Sequence, residues 1–317
     1  MTKIKDREPA RRWLARLLAG ERAALARAIT AVENDGAEAR EVLAAIRPRL
    51  GRALVVGVTG APGTGKSTLT GAYIGALRRQ GRRVGVVAVD PSSPVSGGAL
   101  LGDRIRMTEH AADEHVFVRS LAARGHLGGL ARNAARVVDV MDAAGNDVVI
   151  VETVGTGQSE IEIAGLARVR LVVIAPGLGD DVQALKAGIL EIADILVLNK
   201  SDQPHAARAA RRLERLVAPG SGARVLRTVA TTGEGVAELA EAVEAVARAP
   251  AADTRRESPR ERARRLIAAT AAERVRDALD ALDDAGFAAL CDALARGEID
   301  LPEATKRALT LIAREKR

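Results

Sequence analysis

Eight consecutive residues constrain this chain more than any others: Gly60-Ala61-Pro62-Gly63-Thr64-Gly65-Lys66-Ser67, a G-x-x-x-x-G-K-[ST] string. The string follows the β-branched run Ala53–Thr59 and precedes a helix that opens near Lys66. Small residues let successive backbone N–H groups turn inward on a phosphate, and the positive end of the following helix favours the same anion. The spacing therefore predicts strand, loop and helix as one unit. Lys66 is placed to reach the β- and γ-phosphates and the Ser67 hydroxyl to ligate Mg²⁺. Gly60 through Ser67, with Thr68 beside them, are the candidate residues for the nucleotide tail.

A strand of this kind needs a sheet, and the chain supplies one. Short β-branched runs recur at Arg83–Asp90, Val116–Val118, Val148–Thr153, Leu171–Ala175, Ile195–Asn199 and Val225–Val229, separated by helical stretches. Near-continuous apolar runs mark strands buried on both faces, and their alternation with helices implies crossover connections and a mainly parallel sheet. The expected fold class is α/β: a three-layer P-loop NTPase with a mainly parallel central sheet and helical extensions at both ends. Apolar spacing between Trp13 and Ile46 gives residues 1–50 as an N-terminal helical region. Residues 51–250 form the nucleotide domain, and residues 251–317 an Ala/Leu-rich helical extension.

Composition removes several functions. Aromatic residues are 1% of the chain, which leaves no stacking platform for single-stranded nucleic acid. The apolar runs are far shorter than the roughly 20 residues that span a bilayer, and no apolar signal region opens the chain, so the expectation is a cytoplasmic protein without a membrane partner. One cysteine, Cys291, builds neither an internal disulfide nor a multi-cysteine metal site, and reads as a small hydrophobe. Net charge is +7, but the excess sits at the ends: residues 1–52 carry 12 basic against 7 acidic side chains, while residues 53–253 carry 22 of each. Basic helical ends around a neutral middle read as solvated surface, with no nucleic-acid partner expected.

Hydrolysis of a bound triphosphate needs groups that hold the metal and sense the γ-phosphate. Asp90 ends the run Arg83–Asp90, and Glu152 ends Val148–Thr153 just before Val154-Gly155. Strand-end carboxylates in such a sheet are candidate Mg²⁺ holders, and Gly155 lets a backbone N–H approach the γ-phosphate. The base is chosen by Asn199-Lys200-Ser201-Asp202, directly after Ile195–Leu198. An acceptor-only carboxylate at Asp202 takes both guanine N1–H and N2–H₂. Asn199 is expected to tie the loop together and contact the purine, and the Lys200 stem to cover its face.

Longer strings carry a resemblance. Val89-Asp90-Pro91-Ser92-Ser93-Pro94, the stretch from Ser96 through Asp103 to Met107, and Arg119-Ser120 with Arg124-Gly-His-Leu-Gly-Gly-Leu130 resemble the MeaB/ArgK-type GTPases, relatives of the human methylmalonic aciduria type A protein. Glu152-Thr-Val-Gly-Thr-Gly-Gln-Ser-Glu160, Pro176 to Lys186, and Thr231-Thr-Gly-Glu-Gly235 extend it over most of the chain. The resemblance implies a GTPase chaperone for adenosylcobalamin-dependent acyl-CoA mutases, chiefly methylmalonyl-CoA mutase. In that reading GTP binding and hydrolysis gate cofactor loading from a cobalamin adenosyltransferase and protect or rescue the mutase. It further implies that Asp90, Asp103 and Glu152 are magnesium and switch residues, and that Gln183 and Lys186 lie in a segment coupling nucleotide state to the partner. Val229-Ala230-Thr231 takes the place of the second guanine-side loop. The resemblance also implies that adenosylcobalamin is held by the partner and that the C-terminal helices make a homodimer.

In the expected reaction a water attacks the γ-phosphorus in line, with Lys66, Mg²⁺ and backbone N–H groups stabilising the leaving oxygens. Gln158, three residues past Gly155, is a candidate either to orient that water or to contact the partner. Because no arginine is placed as an internal finger, basal hydrolysis is expected to be slow and raised by the mutase. Two other functions share the phosphate loop: a metal-insertion GTPase of the hydrogenase- or urease-maturation type, and a P-loop small-molecule kinase. The first normally carries a Cys/His delivery site, and the second usually lacks the guanine tetrapeptide.

Overall fold

The computed structural model describes residues 10–34, 36–91, 110, 112–123, 127–153, 166–177, 193–217, 223–249, 259–282 and 285–315. All seven expected runs become strands of one parallel sheet: β1 (Leu54–Thr59), β2 (Val84–Pro91), β3 (Val116–Ala123), β4 (Val148–Thr153), β5 (Val169–Ile174), β6 (Ile195–Leu198) and β7 (Arg224–Arg227). Their order is β3-β2-β4-β1-β5-β6-β7. β1 therefore lies between β4 and β5, where the winding reverses and the strand ends open into a crevice.

Side chains alternate across this sheet because the strand period is two. Val56, Val58, Val84, Val86, Val148 and Ile150 face one side, packed with Leu69, Tyr73, Ile74 and Leu77 of α4 (Lys66–Arg79). On the other side, Gly85 leaves the space that Met141 fills; a Cβ there would sit 2.7 Å from the Met141 sulfur. Met141 belongs to α5 (Leu127–Ala143). Val172, Ile174, Leu196 and Leu198 pack instead against Ala206, Ala210 and Leu213 of α6 (Ala206–Leu216). Returning to the first face, α7 (Val236–Arg248) buries Val236, Leu239 and Val243 beside α4. The sandwich of helix, sheet and helix is the expected three layers.

β3 runs five residues further than the apolar signal suggested. It stays paired with β2 from Val84↔Val116 to Pro91↔Ala123. Arg119 and Ser120 break the apolar run because β3 is an edge strand and these residues are half-buried.

The N-terminal helices, α1 (Ala10–Leu18), α2 (Arg22–Glu33) and α3 (Ala37–Ile46), lie in the same compact unit as the sheet, Met1–Glu257. They bury Trp13, Leu17, Leu25, Ile29, Val32, Val42 and Ile46. The Arg22 guanidinium donates to the Val116 carbonyl at 2.7 Å and lies 5.3 Å from the Phe117 ring centre. Glu33 pairs with Arg119. Both contacts brace the edge strand. Asp142, near the end of α5, accepts backbone N–H groups of Gly51, Arg52 and Ala53, fixing the entry to β1.

Ser258–Arg317 is a second compact unit. It contains α8 (Pro259–Asp280), α9 (Ala285–Ala295) and α10 (Leu301–Glu315), which enclose an apolar groove of about 240 Å³ lined by Leu279, Phe287, Leu290, Leu294 and Ala308. Cys291 also borders this groove and is exposed, not buried as its apolar neighbours suggest. Among the described residues no helix is long and apolar enough to cross a membrane.

Candidate nucleotide-binding site

The phosphate loop turns sharply out of β1 because its glycines adopt conformations other residues resist. Gly60 has φ +144° and Gly65 has φ +88°. A Cβ on Gly60 would lie 2.1 Å from the Val173 carbonyl oxygen, and one on Gly65 would lie 2.5 Å from Asn199 Nδ2. The loop thus passes against β5 on one side and the guanine tetrapeptide on the other. Lys66 is buried, and its Nζ donates to the carbonyls of Gly60 at 2.6 Å and Ala61 at 3.1 Å, so the ammonium sits inside the loop's curl. Thr64 Oγ1 closes the loop on the Ala61 carbonyl.

Ser67 opens α4 and donates its hydroxyl to Glu152 Oε1 at 2.7 Å. Glu152 lies next to β1 in the register Val58↔Glu152 and next to β2 in the register Ala88↔Glu152. Both side chains are buried, as are Thr59 and Thr153, whose hydroxyls hydrogen-bond at 3.0 Å across the same strand ends. A hydroxyl and a carboxylate held together at a helix N-terminus form a hard-oxygen donor pair, which fits Mg²⁺. Mg²⁺ in such sites keeps phosphate and water ligands, so no all-protein cage is required. Among the described residues no three His, Cys, Asp or Glu side chains gather at one point.

Asp90 lies at the C-terminal end of β2, its backbone in register with Ala122. Its side chain falls outside the described residues, as do Asp103, Gly155, Gln158, Gln183 and Lys186.

The guanine side is assembled by Asn199, which is 1% exposed. Its Nδ2 donates to the Thr64 carbonyl at 2.9 Å, and its Oδ1 accepts from Thr228 Oγ1 at 3.2 Å and from the Ala230 N–H at 3.1 Å. One amide therefore joins the phosphate loop to the Val229-Ala230-Thr231 loop. Lys200, at φ +56°, reaches back so that Nζ donates to the Gly63 carbonyl at 2.8 Å. Asp202 is left exposed, available to a purine edge. Val229 is held in an isolated bridge with Glu234, and Thr231 is exposed.

Thr228 is the residue that reading the sequence missed. Fully buried, it bonds Asn199 with its hydroxyl while its carbonyl accepts both the N–H and the hydroxyl of Ser201. Its position directly before Val229 was the available signal.

Comparison with known proteins agrees with this geometry. A family profile described as methylmalonyl Co-A mutase-associated GTPase MeaB matches residues 25–284. The chain belongs to the MeaB family of GTPases. A Pyrococcus horikoshii protein named as a GTPase is 43% identical over 290 residues, 87% of this chain and 92% of that protein. The mouse methylmalonic aciduria type A homolog, a mitochondrial protein, is 36% identical over 250 residues, 70% of this chain and 59% of its own length. The crystal structure of an LAO/AO transport system kinase is similar with a TM-score of 0.73 and 29% identity, covering 98% of this chain and 100% of that one.

This MeaB-family member is therefore a GTPase that binds GTP and GDP. When bound, Mg²⁺ supplies charge neutralisation on the β- and γ-phosphate oxygens. The chain's own part is to hold that charge in place. Loop N–H groups and the α4 terminus would cradle the tail, with the Lys66 ammonium inside the loop's curl, and the buried, hydrogen-bonded Ser67 and Glu152 are the oxygen donors that would hold the metal.

Proposed function

We propose that this GTPase gates adenosylcobalamin loading onto a B12-dependent acyl-CoA mutase, methylmalonyl-CoA mutase first among candidates, and protects or reactivates it. The observation that carries the reading is the match to a mutase-associated GTPase profile over residues 25–284, in a chain with an assembled guanine and phosphate pocket. The name of the mouse relative points to the same metabolism.

In this proposal Lys66, Ser67, Asp90, Asp103 and Glu152 hold magnesium and the γ-phosphate, and Gly155 senses its loss. Gln183 and Lys186 pass nucleotide state to the partner, which holds the adenosylcobalamin and receives it from an adenosyltransferase. Gln158 either orients the attacking water or meets the partner. Replacing Gln158 by Ala separates the two: loss of basal turnover assigns it to water, and loss of stimulated turnover alone assigns it to the partner. The chain works as a cytoplasmic homodimer.

The test is co-purification with candidate mutases in the GDP and GTP-analogue states, with GTP turnover measured alone and in complex. The reading expects nucleotide-dependent binding and faster turnover in complex. Equal turnover with and without every mutase, and no complex in either state, would remove it. GTP-dependent stoichiometric nickel or zinc binding would favour metal insertion instead, and transfer of the γ-phosphate to a small acceptor would favour a kinase.

A further inference from the structure

The outward face of α6 carries four arginines in one stripe. Arg208, Arg211, Arg212 and Arg215 follow one another at helical spacings of three and four, so they share one side of the helix. All four are exposed, while Ala206, Ala210 and Leu213 hold the opposite side against the sheet. Among the described residues none of the four makes an ion pair or a side-chain hydrogen bond. Glu214, the one acidic residue of the helix, is exposed beside the stripe and pairs with none of them.

Such a face costs the helix stability. Each like-charged pair three or four residues apart is unfavourable, and Arg208 in the first turn opposes the positive end of the helix dipole. Nothing local offsets this: the first turn has no acidic residue, and His205 at the N-cap makes no side-chain capping bond. Elsewhere the same unit pairs its arginines, Arg78 with Asp113, Arg82 with Glu244, Arg119 with Glu33 and Arg170 with Asp194. Residues 53–253 carry 22 basic and 22 acidic side chains, so the excess on α6 is local to this face.

The neighbouring edge strand widens the patch. Val225 of β7 packs into the α6 cluster, and strand alternation puts Arg227, two residues on, at the same side of the sheet, where it is exposed. Together these arginines flank the guanine loop. α6 opens four residues after Asp202, and Arg227 directly precedes Thr228, whose carbonyl holds Ser201. Leu216, 49% exposed, stands one turn past Arg212 and gives the stripe an apolar neighbour. Arginines beside an exposed apolar side chain suit a protein surface, which offers carboxylates and apolar groups together, better than a phosphate polymer.

We infer that the outward face of α6, with Arg227 and Leu216, is a docking surface for an acidic patch on the mutase proposed above as partner. The inference rests on that partnership and adds where the mutase sits, beside the base-reading loop. The unpaired arginines steer the encounter and meet the partner's carboxylates.

The experiment measures association of the full-length chain with methylmalonyl-CoA mutase at low and at high salt. One variant carries Arg208→Gln, Arg211→Gln, Arg212→Gln and Arg215→Gln together, and a second carries lysine at the same four positions. A control loses the same charge elsewhere, through glutamine at the exposed Arg40, Arg47, Arg49 and Arg52. The α6 glutamine variant is expected to associate about tenfold more slowly at low salt, with a smaller difference at high salt. Lysine recovers most of the rate, and the control stays within about a factor of two of wild type. Basal GTP turnover is unchanged in all three, and the α6 glutamine variant folds at least as stably as wild type because it loses like-charged pairs. Wild-type association of that variant, or an equal loss in the control, overturns the docking surface and leaves the partnership standing. Absence of mutase binding by the wild type removes both. Unchanged mutase binding with lost binding of duplex DNA or phosphatidylserine vesicles gives the stripe to a polyanion and overturns the inference.

Discussion

Ser67 Oγ and Glu152 Oε1, 85 residues apart in sequence, meet at 2.7 Å and join the first turn of α4 to the end of β4. Each side chain is buried and each holds the other in a single orientation. In the proposed role as magnesium holders, the two donors would meet the cation without first being gathered from separate elements.

Removing either member should therefore act through magnesium. Ser67→Ala and Glu152→Gln are each expected to lower apparent Mg²⁺ affinity and turnover by about 10- to 100-fold, while metal-free GDP binding changes little. A Mg²⁺ titration of GTP hydrolysis beside a metal-free GDP titration checks this.

Asp202 is the residue proposed to read the base. Asparagine at this position replaces one acceptor by a donor, which opposes guanine N2–H₂ and matches the O2 carbonyl of xanthine. Asp202→Asn is expected to weaken GDP binding by about 1.5–3 kcal/mol and to improve xanthosine diphosphate binding. Calorimetry with both nucleotides measures the exchange; unchanged preference for guanine would place recognition elsewhere.

Gly60 has no room for a side chain. At φ +144°, with a Cβ destined for 2.1 Å from the Val173 carbonyl, Gly60→Ala has to displace backbone of either the loop or β5. The expected cost is at least about 1–3 kcal/mol, seen as a lower urea midpoint together with loss of GTP binding. Gly63→Ala, where open space surrounds the added carbon, pays only for its φ of +80° and should lose less stability.

Tyr73 is the only tyrosine in the chain and is 2% exposed. Burial, reinforced by the Glu244 charge and partly offset by Arg82, pushes its hydroxyl well above the ordinary tyrosine range. Below the ordinary value of 10.0 both folded and unfolded chains keep the proton. Above it the unfolded chain ionises first, so the stabilisation that Tyr73 lends is lost as pH rises. Phenolate absorbance should therefore appear together with loss of the native circular dichroism. An ordinary titration in the folded protein would contradict this burial.

Local patterns were legible in the sequence because neighbours along the chain write them. The phosphate loop, the guanine tetrapeptide and all seven strands follow from residue types at fixed short offsets: glycines where φ is positive, apolar runs where both faces are covered, a carboxylate after a strand. The exception among strands, the outer half of β3, has polar residues because one side of an edge strand needs no apolar cover. What only the tertiary structure decided is which distant pieces meet. The insertion of β4 between β2 and β1 brings Glu152 to Ser67. The buried amide of Asn199 spans Thr64 and Thr228, and His110 meets the Gly71 carbonyl on α4. These contacts join residues dozens of positions apart, and their partners are chosen by packing and by the need to pair buried polar groups. No short window of sequence contains both sides of that choice.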